Sequence, residues 1–305
     1  MSPMDGSIPV YATHRSTGER IRRAIRGSGW FIIAKPLGAF GAFVVFGMLL
    51  VAIFAPWLAP YPPEEFIDGG SARLKPPSLA FPMGTDNLGR DILSRVIYGA
   101  QISMLVGVLS TTLGTGLGAI IALFASYAGG VWDLLVERVM DILWSFPSLI
   151  IAIVIIAVLG RTTTNLIIAI GIVIIPSTAR VVRSTVLAVK ESEYVQSARA
   201  AGASHLRIIF RHVAPNCVAP YIVIATASLG SAIITEASLS FLGLGVPPPA
   251  PSWGRDLFGA AQKFAELAPW MPIMPGIAIS LTVYGFNLFG DAIRDLLDPR
   301  LRGSR

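Results

Sequence analysis

The chain has 305 residues, 53% of them hydrophobic and only 14% charged, with a formal net charge of +6. A soluble domain carries about 25% charged residues, so this composition excludes an ordinary soluble enzyme and points to a polytopic membrane protein that folds as one unit. The single cysteine, Cys217, excludes an intrachain disulfide and any C-x-x-C motif, and His14, His205 and His212 are scattered without zinc spacing.

Residues 1–36 are rich in arginine and have neither the apolar run nor the cleavage site of a signal peptide. They read as a cytoplasmic tail whose Ile21, Ile25 and Trp30 lie at the lipid surface on a short amphipathic helix. A crossing needs about 20 mostly apolar residues. The first is residues 37–60, "LGAFGAFVVFGMLLVAIFAPWLAP". A Pro-rich extracytoplasmic loop, 61–100, follows. Near its end Leu88, Ile92, Leu93, Val96 and Ile97 recur at helical spacing, which predicts an interfacial helix feeding the second crossing. Asp86 and Asp91 lack the D-x-D-x-D-G pattern of a calcium loop and read as turn and cap residues.

Residues 101–293 hold five more crossings. The second covers 101–127, and the third covers 141–159 with an amphipathic approach from Trp132. The fourth runs from Asn165 through Pro176 past Arg183, and the fifth and sixth cover 219–242 and 269–289. Residues 294–305 read as a cytoplasmic tail. The fold class is therefore an all-α polytopic membrane helix bundle with six transmembrane helices. With the N-terminus inside, 17 of the 24 Lys and Arg fall on inner segments. The positive-inside rule then places both termini in the cytoplasm, and Trp57, Trp253 and Trp270 near the outer interface.

Several signals mislead. "GTGLGA", 114–119, half-matches a dinucleotide motif but lies inside an apolar span; Gly114 and Gly118 at G-x-x-x-G spacing fit close helix packing in lipid. None of the four lysines follows a glycine, so the chain has no P-loop. No catalytic constellation stands out, and the chain reads as a non-enzyme with no metal site. Two sets of intramembrane polar groups remain as translocation-path candidates. Glu236 lies in the outer part of the fifth crossing, where an ionisable residue is either functional or a packing bond between helices. Asp141, Trp144 and Pro147 lie near the inner mouth, where Pro147 removes a helical hydrogen bond and predicts a bend.

The most unusual stretch is "EYVQSARAAGASHLRIIFRHVAPN", 193–216, a charged interruption between oily helices. Its first part is a good helix former. Gly202 can take the left-handed conformation that ends a helix, and Ser204 can cap the next. That helix presents Leu206, Ile209, Phe210 and Val213 on one face, has Arg207 and Arg211 on the other, and is expected to stop at Pro215. A solvated loop, a DNA-binding helix-turn-helix and a docking knob for a cytoplasmic partner compete. The flanking membrane helices pin both ends to the bilayer and exclude a recognition helix reaching a major groove, so no nucleic acid is expected. The docking knob is favoured.

This stretch resembles the E-A-A-x3-G loop of the inner-membrane subunits of binding-protein-dependent ABC importers. Ala198, Gly202 and Pro215 match, whereas Gln196 and Ser197 depart from the pattern and remove its acidic residue. "GTDNLGRDILSRVIYGAQISMLVG", "ILWSFPSLIIAI", "EASLSFLGLGVPPPAPSWG" and "PGIAISLTVYGFNLFGDAIRDLLDPRLR" resemble the dipeptide/oligopeptide/nickel branch, in order and over nearly the whole chain. The resemblance implies a type I ABC importer permease architecture in the cytoplasmic (inner) membrane. It implies a second homologous permease, two cytoplasmic ATPase subunits holding ATP and Mg, and an extracytoplasmic solute-binding protein, besides the lipid bilayer. No cofactor is expected on this chain itself. The ATPase-coupling residues it implies are Glu193, Tyr194, Gln196, Ser197, Ala198, Ala201, Gly202, Ala203, Ser204, Leu206, Arg207, Phe210 and Pro215. The expected function is permeation of peptides or a related small solute. The alternative is an ion-coupled secondary carrier using Glu236.

Overall fold

In the computed structural model, which describes residues 35–297, helices follow the apolar runs and no strand ladder forms among the described residues. Helix α1 covers Pro36–Ile53 and a short α2 covers Ala55–Leu58. After a loop with one 3-10 turn, α3 runs over Ile92–Ala128. Helices α4, Gly130–Trp144, and α5, Ser148–Leu159, precede α6, Thr163–Lys190. Helices α7, Glu193–Ala200, and α8, His205–Ile208, form the interrupting stretch, and a π turn, Ile209–Val213, joins α8 to α9, Ala214–Phe241. Helix α10, Trp253–Lys263, and α11, Trp270–Leu297, complete the described chain.

Among the described residues, five helices are long and apolar enough to cross a membrane: α1, α3, α6, the run His205–Phe241, and α11. The sixth crossing exists only if α4 and α5 count together, and they meet at 92°. Helix α5 has 12 residues, or about 18 Å at 1.5 Å per residue, which is short of the ~30 Å hydrocarbon core. The bend expected at Pro147 is thus a full break. Pro147 cannot donate a backbone hydrogen bond, it disfavours the helical conformation in the residue before it, and it stands at the N-cap of α5 with ψ 129°.

Three features sharpen the sequence expectations. There is no separate interfacial helix at Leu88–Ile97: α3 begins at Ile92 and runs unbroken into the second crossing. Asp91 starts it, with Oδ2 accepting bonds from the Ser94 backbone N–H and hydroxyl at 2.7 Å each, and Asp86 holds the preceding turn by accepting from the Leu88 and Arg90 backbone. Helix α10 was not expected. It folds back between α9 and α11, and its Trp253 is 1% exposed, with Nε1 donating to the Val96 carbonyl at 2.8 Å. Trp253 is therefore a core residue, whereas Trp57 is exposed. Finally, α11 reaches Leu297, into the segment expected as a tail. Ile21, Ile25, Trp30 and residues 298–305 lie outside the described residues.

Small residues set the packing, as they must where lipid gives helices no hydrophobic reason to associate. A Cβ on Gly118 would stand 2.7 Å from the Ile175 carbonyl, and one on Gly114 would collide with the Gly171 carbonyl. The expected G-x-x-x-G contact is thus the α3–α6 seam. The α1–α11 seam has the same character: a Cβ on Gly41 would lie 2.6 Å from the Phe289 nitrogen.

Candidate functional site

The 193–216 stretch leaves the bundle at the end where α3 and α6 finish. Gly202 has φ +80° and closes α7, with its N–H bonded to the Arg199 carbonyl and the Ala203 N–H to that of Ala198. The Ser204 hydroxyl accepts from the Arg207 backbone N–H at 3.4 Å and starts α8. Both expectations from sequence hold. The stop at Pro215 does not. Pro215 sits in the first turn of α9, and the helix from His205 continues to Phe241. Pro215 has no N–H to offer the Arg211 carbonyl, and the π turn just before it takes up one extra residue instead.

That extra residue rotates the apolar face. Of the four positions expected to form it, Ile209 and Val213 are buried, but Leu206 and Phe210 are 61% and 62% exposed. Ile208 takes a buried place that the simple helical period does not assign to it. Val195, Ile208 and Val213 have no exposed surface and join Met140, Val182 and Val186 in one cluster, which roots the loop in the bundle. Outside that root, Glu193, Tyr194, Gln196, Ser197, Ala201, Gly202, Ser204, Leu206, Arg207, Phe210 and Pro215 are exposed, and Ala198 and Ala203 are half-buried. Polar bonds brace the knob. The Tyr127 hydroxyl meets His205 Nδ1 at 3.2 Å, Lys190 Nζ donates to the Ser126 carbonyl at 3.1 Å, and Asn216 Nδ2 donates to the Tyr194 hydroxyl at 3.2 Å. None of these partners was legible from spacing along the chain.

Glu236 is fully enclosed between α9 and α3. Its Oε2 accepts from the Ser103 hydroxyl at 3.1 Å and its Oε1 from the Ser240 hydroxyl at 2.8 Å. Two hydroxyl donors give the buried carboxylate the hydrogen bonds that burial demands. The Ser103 bond ties the fifth crossing to the second, and the Ser240 bond lies within the fifth itself.

Asp141 accepts from Arg180 Nη2 at 2.7 Å, and the Arg180 guanidinium lies 4.5 Å from the centre of the Trp144 ring. One turn away, Arg183 donates two bonds to Asp133 at 2.9 Å and reaches Glu137 at 2.7 Å. These pairs clamp amphipathic α4 onto α6. Beyond them a cleft of about 300 Å³ opens between α4, α5 and α6, lined by Trp144, Phe146, Ser148, Ile172 and Pro176. The three candidates therefore gather at one break in the chain: Trp144 faces the cleft, Asp141 anchors its edge and Pro147 makes the break.

At the opposite end, Arg95, 3% exposed, pairs with Asp256 at 2.5 Å and fixes α10 to the start of α3. Beside it, burial pushes the Arg255 guanidinium below its ordinary value, opposed by the Asp256 charge. The Arg95–Asp256 pair had no sequence signal, because its members are separated by 161 positions.

The family model for the binding-protein-dependent transport system inner membrane component matches residues 114–303, and that for the N-terminal TM domain of oligopeptide transport permease C matches residues 32–77. The chain is 44% identical over 262 residues to the glutathione transport system permease protein GsiD of Escherichia coli O6:K15:H31, covering 86% of each chain. It has the same identity and coverage with GsiD of Shigella boydii serotype 4. In fold it is similar to a chain of the MetNI methionine ABC transporter in an inward-facing conformation, with TM-score 0.51 and 17% identity over 67% of this chain and 94% of that one.

Proposed function

This chain belongs to the family of binding-protein-dependent transport system inner membrane components, and from that premise we propose that it is the spanning subunit of an ATP-driven importer for peptides or a related small solute. Glutathione is a tripeptide, and relatives named for its transport support a peptide-like solute. A second permease, two ATPase subunits carrying ATP and Mg, and a solute-binding protein complete the machine. The bundle sits in the inner membrane with both termini and the 193–216 loop on the cytoplasmic side, in keeping with the distribution of Lys and Arg.

The observation that carries this reading is the construction of the loop. An exposed apolar pair, Leu206 and Phe210, stands on a base of fully buried residues and is continuous with a membrane helix ending at Phe241. A rigid lever of this kind transmits a rigid-body push, which a flexible tether would not. ATPase closure would press on α7 and α8 and tilt the attached crossings.

The test is reconstitution with and without the ATPases of its gene neighbourhood, following labelled glutathione. Uptake is expected only with ATP and ATPase, and Leu206→Asp with Phe210→Asp should strip the ATPases from the purified complex. Uptake driven by an ion gradient without any ATPase, and stopped by Glu236→Gln, would establish the carrier instead. The enclosure of Glu236 by two serines favours a packing role over an ion site open to solvent.

A further inference from the structure

Two hollows share one wall of the bundle. The first is an apolar groove of about 300 Å³ between α3 and α9, lined by Gly116, Ala119 and Leu123 on one side and Ala214, Val218 and Tyr221 on the other. The second is a cavity of about 600 Å³ at the loop end, lined by Tyr127, Lys190, Glu191, Arg199, His205 and Ile209. Positions 116, 119, 123 and 127 fall on one face of α3 at helical spacing. Phe124, which lines the cavity, meets Phe210 edge-on with ring centres 6.3 Å apart, next to Leu123 of the groove. Laid end to end along α3, with this ring pair at their junction, the two hollows make a trough that is apolar within the bundle and charged where the bundle meets the loop.

We propose that this trough is a binding site for an anionic phospholipid, with the acyl chain in the groove and the phosphate in the cavity. The chemistry is complementary at both ends. Lys190 and Arg199 bring two positive charges against the one negative charge of Glu191, and His205 adds a hydrogen-bonding ring. Arg199 forms no ion pair within 4.0 Å among the described residues. Basic pockets between membrane helices at the polar surface recognise anionic head groups, and each nearby cation contributes about fivefold in affinity. A free anion would use the cavity but not the groove. Only a molecule with a charged head and a long apolar tail fills both.

Gly116 provides the means to separate the two parts. A side chain added there meets nothing within 4 Å, whereas Gly114 and Gly118, two positions to either side, are locked against α6. Gly116→Leu therefore fills the groove without disturbing the seam, and it raises helix propensity. Such a site would let the local lipid hold the loop at a set distance from the membrane whichever solute is carried.

The experiment follows the melting midpoint of the full chain purified in detergent, titrated with phosphatidylglycerol, phosphatidylcholine or inorganic phosphate. Phosphatidylglycerol should raise the midpoint and the other two should not. Lys190→Gln and Arg199→Gln should each weaken the phosphatidylglycerol titration about fivefold. Gly116→Leu should abolish it while keeping the midpoint in pure detergent, and Val218→Trp fills the same groove from α9 should the first variant be unstable. Equal stabilisation by both lipids, or an effect reproduced by phosphate alone, would overturn the proposal. So would a phosphatidylglycerol effect undiminished by both groove-filling variants, or groove filling that stops uptake with lipid binding intact, which would make the trough a solute route.

Discussion

The Tyr127 hydroxyl stands 3.2 Å from His205 Nδ1, with the two rings edge-on at 5.9 Å. The contact joins the last turn of α3 to the first residue of α8, just behind the turn at Gly202. If force enters through the loop, this is one of the points where it reaches the second crossing. Tyr127→Phe keeps the ring and removes the bond, worth about 1 kcal/mol. We expect the complex to assemble and hydrolyse ATP, while solute moved per ATP falls severalfold. Parallel measurement of phosphate release and uptake decides it; an unchanged ratio places the bond outside the transmission path.

Gly202 tests the turn itself. No atom lies within 4 Å of the position where its Cβ would be, so a substitution acts only through its φ of +80°. A left-handed conformation costs an ordinary L residue about 1–2 kcal/mol, and Asn tolerates it best. Gly202→Val should uncouple ATP hydrolysis from uptake, and Gly202→Asn should retain most of both. Equal uptake in the Val and Asn variants would show that the turn's shape is irrelevant.

Glu236 gives a contrast between charge and hydrogen bonding. Glu236→Leu leaves the Ser103 and Ser240 hydroxyls buried without their acceptor, at about 1–3 kcal/mol each. That variant should lose yield in detergent. Glu236→Gln retains an amide oxygen and nitrogen at the same place, so it should assemble normally and leave uptake unchanged. Altered uptake in a normally assembled Gln variant would overturn the packing role.

The α3–α6 seam predicts a sharp positional rule. Gly118→Leu forces a side chain into the Ile175 carbonyl and the Thr178 Cβ, whereas Gly116→Ala meets open space. Membrane-inserted protein recovered after extraction should fall at least tenfold for the first and stay level for the second. Comparable recovery of both would mean that the seam is looser than its geometry.

Arg183 holds α4 through Asp133 and Glu137, at side-chain exposures of 29%, 16% and 37%. Such partly screened pairs contribute modestly to stability, so the expected effect is on the position of α4 beside the cleft. Arg183→Gln should lower uptake with a small change in melting point. The exchange Arg183→Asp with Asp133→Arg should recover part of it, and a double-mutant cycle measures the coupling. No recovery would make Arg183 important for something other than this pair.

Composition and apolar period were enough to identify a membrane helix bundle, because a crossing must satisfy its own backbone and face lipid over a fixed length. The turn at Gly202, the cap at Ser204, the break at Pro147 and the tight seam at Gly114 and Gly118 were also legible. Each depends on the local geometry of one residue type. The exposure of most of the 193–216 loop was marked out by the same local signals.

What the sequence could not give is anything decided by residues meeting across the bundle. Pro215 was expected to end a helix, but burial of Ile208, Ile209 and Val213 holds the helix together through a π turn, and packing outweighs the missing hydrogen bond. Trp253 turned inward because α10 folds against α3, where the Val96 carbonyl accepts its N–H. The enclosure of Glu236 by Ser103 and Ser240, the Tyr127–His205 contact and the trough ending at Lys190 and Arg199 each need two or more helices side by side. A helix's period tells which face is oily; only the packed bundle decides which oily face finds protein, which finds lipid, and where the few polar groups between them meet.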